Sequence, residues 1–337
     1  MDAVLLVSFG GPESVEEVMP FLRKVTAGRN VPEERLLRVA EHYFDRGGVS
    51  PINDQNRRLL ASLRDAMPDT PVYWGNRNSA PWLSDAFDEM TADAVTRVIA
   101  VFTSAYSSYS GCRQYRENLA EANTMGLPVI KIPNYYNLPG FVDANYEHLS
   151  ATLAGRDAKT VVLFTTHSIP VVMQDTSGPG GGQYVAQHRS LAGHLMDRIA
   201  LDTGVRYPWE LVFQSRSGPP QVPWLEPDIN DRMPQLAAEG VAAVVVAPIG
   251  FVSDHMEVVQ DLDTEAADTA DELGLDFARV STVGDHPRFV AGLVESINAV
   301  RRGATAPVAF DASLPTPCLS GCCPNARVSK PALCEQS

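Results

Sequence analysis

Short apolar runs rich in Val, Ile and Leu alternate along this chain with longer stretches of helical periodicity, and this limits the folds open to it. Strands are predicted at 3–8, 72–75, 97–103, 128–132, 160–166, 209–214, 241–247 and 277–280. Helices are predicted between them, among others at 113–125, 183–202, 228–238, 254–273 and 287–302. Unbroken apolar strands belong to sheets buried on both faces, and helical crossovers make such sheets parallel. The order also repeats. Val4-Leu-Leu-Val-Ser-Phe-Gly-Gly-Pro12 parallels Val161-Val-Leu-Phe-Thr-Thr-His-Ser-Ile-Pro170, and 97–107 parallels 243–253. The 337 residues suffice for two similar α/β domains, each with a core of its own. The expected division is 1–150, 151–303 and a tail at 304–337, with the last helix packing back on the first domain. In open α/β sheets ligands bind outside the carboxyl ends of the strands.

One such end carries an unusual acidic pattern. After the run at 242–247 and the break at Pro248 and Gly250, a helix is predicted from Ser253 or Asp254. Asp254, Glu257, Asp261 and Glu265 follow at spacings of three, four and four, which stacks them on one helix face. Like charges so spaced cost a helix roughly 0.2–0.5 kcal/mol per pair. A stripe of this kind suits a path for cations or protons. It also suits a plain helix start, with Asp254 as cap and early carboxylates answering the helix dipole. His167 presents a similar choice at the end of the strand 160–166. It is either a loop histidine bonded to backbone, or a base or ligand for a first-row divalent ion.

Several functions are excluded. Lys plus Arg number 27 against 41 Asp plus Glu, a formal charge of −14, which is no footprint for a nucleic-acid partner. No apolar run of about 18 residues is present, so no transmembrane segment is predicted. Asp2 stands where a signal peptide carries positive charge, and a cytoplasmic protein is expected. The glycine-rich stretch Gly178-Pro-Gly-Gly-Gly182 lacks the dinucleotide spacing, since Gln183 occupies the third glycine position. No nucleotide is expected, and the stretch reads as a mobile loop or lid.

Taken together, Thr166-His-Ser-Ile-Pro170, Phe251-Val-Ser-Asp-His-Met-Glu257 with Asp261-Leu-Asp263, and Gln214-Ser-Arg-Ser-Gly218 followed by Pro223-Trp-Leu225 resemble the signatures of ferrochelatases. Leu6-Val-Ser-Phe-Gly-Gly-Pro12 and Gly47-Gly-Val-Ser-Pro51 resemble the family's N-terminal motifs, and the resemblance covers about residues 3–300. It implies two Rossmann-like, class II chelatase-like domains around a porphyrin cleft, and insertion of Fe(II) into a porphyrin with release of two protons. It implies His167 as proton acceptor or metal ligand and Glu257 as its partner across the ring. Asp261 and Glu265 would extend an acidic line, and Asp254 and His255 would orient the turn. Ser50 and Tyr115, and more weakly Arg29, match positions that hold porphyrin carboxylates. Phe9 falls where some relatives place a ligating tyrosine, and phenylalanine cannot ligate.

Four of the five cysteines, Cys318, Cys322, Cys323 and Cys334, lie in the Pro/Ser/Gly-rich tail, and the fifth is Cys112. A cytosolic chain gives no reason for disulfides. Some ferrochelatases carry a 2Fe–2S cluster on tail cysteines and one internal cysteine, and Tyr109-Ser-Gly-Cys112 matches the internal context. The resemblance implies Cys112, Cys318, Cys322 and Cys323 as ligands with Cys334 free, and tail zinc is the competing reading. The tail pattern resembles actinobacterial-type enzymes acting on coproporphyrin III; protoporphyrin IX is the alternative substrate. The resemblance also implies a monomer in transient contact with neighbouring haem-pathway enzymes. A non-catalytic tetrapyrrole- or metal-binding module and an Fe–S redox protein are the readings from other classes. Simple binding needs no His–Glu pair, and electron transfer needs no acidic stripe.

Overall fold

The computed structural model describes residues 1–315 and 317–333. Among them, strands form two four-stranded sheets, parallel throughout. The first holds β1 (Asp2–Ser8), β2 (Val72–Asn76), β3 (Arg97–Phe102) and β4 (Val129–Lys131) in the order β2-β1-β3-β4. The second holds β5 (Val161–His167), β6 (Trp209–Gln214), β7 (Ala243–Ala247) and β8 (Asp276–Arg279) in the order β6-β5-β7-β8. The two orders are the same, and the paired sequence stretches are β1 with β5 and β3 with β7. The α/β expectation holds, and every predicted strand is present within two residues of its expected bounds.

Alternation along the strands explains their apolar character. Val4 and Leu6 of β1 point to one face, Leu5 and Val7 to the other, and all four are buried. The inner faces of the two sheets share one core, in which Val4, Leu6 and Ile99 join Val162, Phe164 and Val245. Each outer face has its own. Leu5 and Val7 pack with Phe87 and Leu119, and Leu163 and Val212 pack with Met233 and Leu262.

The helix Pro287–Arg301 returns to the first half and packs on the helices Pro139–Leu153 and Ile52–Ala66. Its crossing with Pro139–Leu153 is made at Gly140 and Gly292. A Cβ on Gly140 would stand 2.2 Å from the Arg288 carbonyl oxygen, so a side chain there would force the helices apart.

Two helices differ from expectation. The stretch predicted at 254–273 begins at Met256, and a π-helical segment, Asp261–Ala266, separates Met256–Gln260 from Ala267–Leu273. Asp254 does not cap it, because its carboxylate is held by Arg279, with Oδ1 3.1 Å from Nη1. The cap is His255, in extended backbone, whose Nδ1 accepts from the Val258 N–H at 3.4 Å. The second is Gln114–Ala122, which ends three residues early and is preceded by a π-helical turn, Tyr109–Arg113.

The tail also returns to the first half. Ala309 donates its N–H to Asn137 O at 2.8 Å, Asn325 Nδ2 donates to the Tyr109 hydroxyl at 2.6 Å, and Leu333 N–H donates to Arg116 O at 3.2 Å. The glycine-rich stretch is no free lid. Gly178 is buried and donates its N–H to Cys323 Sγ at 3.0 Å, while Gln174 Nε2 holds Gly182 O at 3.0 Å. Positive φ at Gly178, Gly181 and Gly182 makes that tight path possible.

Candidate active site

The signature motifs meet at the carboxyl end of β5. His167 is its last residue, and its carbonyl accepts from the Tyr184 hydroxyl at 2.9 Å. The next residue, Ser168, donates its N–H to Gln214 O at 2.7 Å and its hydroxyl to Leu225 O at 2.8 Å. Gly250, beyond β7, lies so close that a Cβ there would stand 2.2 Å from Thr166 Oγ1. This contact brings the following turn alongside β5. Glu257, in the first turn of Met256–Gln260, then stands with Oε2 3.7 Å from His167 Nε2. The two side chains are 30% and 50% exposed, so the pair is open to a ligand.

Behind Glu257 lies Asp261. Its Oδ2 accepts from Gln214 Nε2 at 3.3 Å and from the Ser215 hydroxyl. Burial pushes its carboxyl up to about 7; Glu257 and Glu265 add to the rise, and the Ser215 and Gln214 donors oppose it. Glu265 is exposed and accepts from Gln260 Nε2 at 3.2 Å. Glu257 and Glu265 are thus exposed on either side of the more buried Asp261, and Asp254 is turned instead to Arg279. His255, whose ring meets Phe251 edge-on, has its pKa lowered by burial, against the opposing pull of the Glu257 carboxylate.

The first half closes this region. Met256 packs with Val18, Phe21 and Tyr43, and Arg46 donates to Gln260 Oε1 at 2.8 Å and Thr264 Oγ1 at 2.6 Å. Asp254 N–H donates to Gln55 Oε1 at 2.9 Å. Phe9, just past β1, lies against Phe21 with ring centroids 6.1 Å apart. Ser50 is buried beneath Gly11, and its N–H donates to Pro12 O at 2.9 Å. Tyr115 is buried, with its ring 5.0 Å from that of Phe102. Arg29 is exposed.

Arg77, which sequence reasoning missed, links these positions. Its guanidinium stands 4.3 Å from the Tyr115 ring centroid and 5.6 Å from that of Phe9, and Nε donates to Asn118 Oδ1 at 2.6 Å. Burial lowers its pKa, and Arg29 adds a like charge nearby. Its position directly after β2 was the available signal.

The cysteines gather apart from the His–Glu pair. Cys112, Cys322 and Cys323 are buried and Cys318 is partly so. Cys322 Sγ and Cys323 Sγ lie 3.7 Å apart. Cys112 is within hydrogen-bond reach of Cys318 and Cys323. These two donors, with the Lys131 and Arg116 charges nearby, hold its thiol below the usual range. Among the described residues no group of three or more His, Cys, Asp or Glu side chains is placed to hold a metal ion. Cys334 lies outside the described residues.

The fold is that of two-lobed chelatases. SirB from Bacillus subtilis, solved with Fe3+, superposes with a TM-score of 0.54 at 12% identity, covering 90% of this chain and 95% of that one. CbiX, titled the terminal enzyme for biosynthesis of siroheme in denitrifying bacteria, gives 0.51 at 16%, covering 88% and 98%. More specifically, this chain belongs to the ferrochelatase family, whose model matches residues 1–300. The coproporphyrin III ferrochelatase of Streptomyces griseus subsp. griseus is 52% identical over 98% of this chain and 95% of its own length. That of Streptomyces coelicolor is 50% identical over the same shares, and a ferrochelatase of Rhodopirellula baltica is 48% identical over 87% and 85%.

Proposed function

We propose that this chain inserts Fe(II) into coproporphyrin III, giving Fe-coproporphyrin III and two protons. The observation that carries this reading is the open His167–Glu257 pair, 3.7 Å apart, with a carboxyl of pKa about 7 behind it. Each pyrrole N–H must lose its proton as the metal enters, which calls for an acceptor near neutrality. His167 takes a proton or touches the incoming metal, Glu257 faces it, and Asp261 and Glu265 carry charge outward. His255 positions Glu257 by capping its helix. Ser50, Tyr115 and Arg29 are assigned to the porphyrin carboxylates; Arg77, next to Tyr115, adds a cation. Phe9 offers an apolar ring face and no ligand atom. The names of the relatives at 50–52% identity support coproporphyrin III as substrate. Among the described residues no helix is long and apolar enough to cross a membrane, and we place the enzyme in the cytoplasm as a monomer.

The cysteines fit a 2Fe–2S cluster. Two thiolates on one tetrahedral ion stand roughly 3.8 Å apart when metal–sulfur bonds are about 2.3 Å. The 3.7 Å between Cys322 and Cys323 has that value, and Cys112 with Cys318 supplies a second pair. Two pairs suit two irons. When bound, the cluster supplies a covalent tie between the tail and the first half, remote from the His167–Glu257 pair.

The test is an anaerobic Fe(II) insertion assay with coproporphyrin III and protoporphyrin IX side by side. A kcat/KM at least about tenfold higher for coproporphyrin III is expected. Equal rates or the reverse preference refute the substrate, and no insertion into either refutes the reaction.

A further inference from the structure

Lys131 is the last residue of β4 and an unusual one to bury. An ammonium is strongly hydrated and is almost never fully buried without a partner. Here the residue is 4% exposed, with Nζ donating to the Ile132 carbonyl at 2.7 Å and standing 5.5 Å from the Phe102 ring centroid. Among the described residues no carboxylate lies within ion-pair distance of it. Its remaining surroundings are apolar or neutral polar groups, such as Leu314 and Asn134, and three thiols. Lys131 lines one narrow cavity together with Cys112, Cys318 and Cys322. A second cation, the fully buried Arg116, donates Nη2 to the Cys322 carbonyl at 3.2 Å.

Neutral thiols give no reason to bury an ammonium here. A diferric cluster does, because two ferric ions, two sulfides and four thiolates sum to a dianion, and one added electron makes a trianion. An anion buried without counter-charge is expensive. We propose that Lys131 is the built-in counter-cation of the thiolate-bound cluster and favours its reduced, more negative form. This rests on the 2Fe–2S reading above, and goes beyond it in assigning Lys131 an electrostatic role.

The test uses the full chain purified anaerobically, with iron, sulfide and zinc analysis of the wild type first. Dithionite then delivers one electron per cluster while visible absorbance follows the titration in wild type, Lys131→Met and Lys131→Arg. Lys131→Met is expected to disfavour the reduced form about tenfold, ~59 mV lower for a one-electron couple. Lys131→Arg, which keeps the charge, should titrate close to wild type. A Met variant that loads its cluster and titrates with wild type overturns the proposal. Loading of the Arg variant but not the Met variant supports it, since assembly then needs the charge. Failure of both to load overturns it, because shape rather than charge is then required. A zinc-bound, colourless wild type removes the cluster reading itself, and the metal analysis identifies that failure separately.

Discussion

Asp261→Asn isolates one ionisation in the acidic line. Asparagine keeps an oxygen to accept from Ser215 and Gln214, and it resembles the protonated acid in shape and charge. The folded pKa of Asp261 is about 7 against an ordinary 3.8. The folded chain therefore holds a proton that the unfolded chain releases. The stability this contributes is fully present below about pH 4 and is lost as pH rises through about 7. The full difference corresponds to about 4 kcal/mol at 1.36 kcal/mol per pH unit; residual solvent access reduces this to about 2 kcal/mol. Urea unfolding of both proteins from pH 5 to pH 8 measures it. The variant should gain on wild type from pH 5 to about pH 7 and level off above that. Titrating groups away from Asp261 are common to both proteins and cancel in the difference, leaving Asp261 with its neighbours Glu257 and Glu265. A difference that is flat with pH would refute the burial argument. So would a variant that loses ground as pH rises, since that is the sign for a carboxylate stabilised in its charged form.

His167→Ala should abolish metal insertion while near-UV circular dichroism and the thermal midpoint stay near wild type, because the partly exposed ring at the strand end supports little of the core. Glu257→Gln should do the same; a carboxylate serving only the helix dipole predicts full turnover and at most about 1 kcal/mol of lost stability. Cys112→Ser should lose visible colour and a few kcal/mol of stability, by analogy with other cross-links, whereas Cys334→Ser should lose neither; iron analysis with a thermal melt reads both. Gly140→Ala should destabilise by about 1–3 kcal/mol in urea, because its Cβ would meet the Arg288 carbonyl at the helix crossing.

What could be read from sequence, and what could not, divides along a physical line. The strands were legible because burial on both faces leaves β-branched runs such as Val244-Val-Val246, a purely local mark. The positions of His167 and the turn carrying Glu257 were legible for a related reason. Parallel strands all end at the same edge, so a residue just past β5 and one in the turn after β7 become neighbours through topology alone. Asp254 leaves the acidic stripe and the cap position because spacing counts residues along one helix and cannot register Arg279, which arrives from β8 and takes the carboxylate. The π-helical segment at Asp261–Ala266 was missed for lack of any local mark, although it sets where Asp261 points.

Arg77 and Lys131 show the limit most clearly. Each closes a strand or follows one, a position that marks it for attention but does not say what charge or ring it will meet. What makes them unusual is the company brought from elsewhere: Phe9 and Tyr115 around the guanidinium, Cys318 and Cys322 beside the ammonium. A buried charge is a property of the surroundings, and those surroundings come from segments tens to nearly two hundred residues away. Sequence therefore marks the groups that the strand edges bring together, while the charges that tune them emerge only when both halves and the tail are in place. It follows that substitutions at Arg77 or Lys131 should act on carboxylate binding or on the thiolate centre while leaving the strands and the His167–Glu257 geometry unchanged.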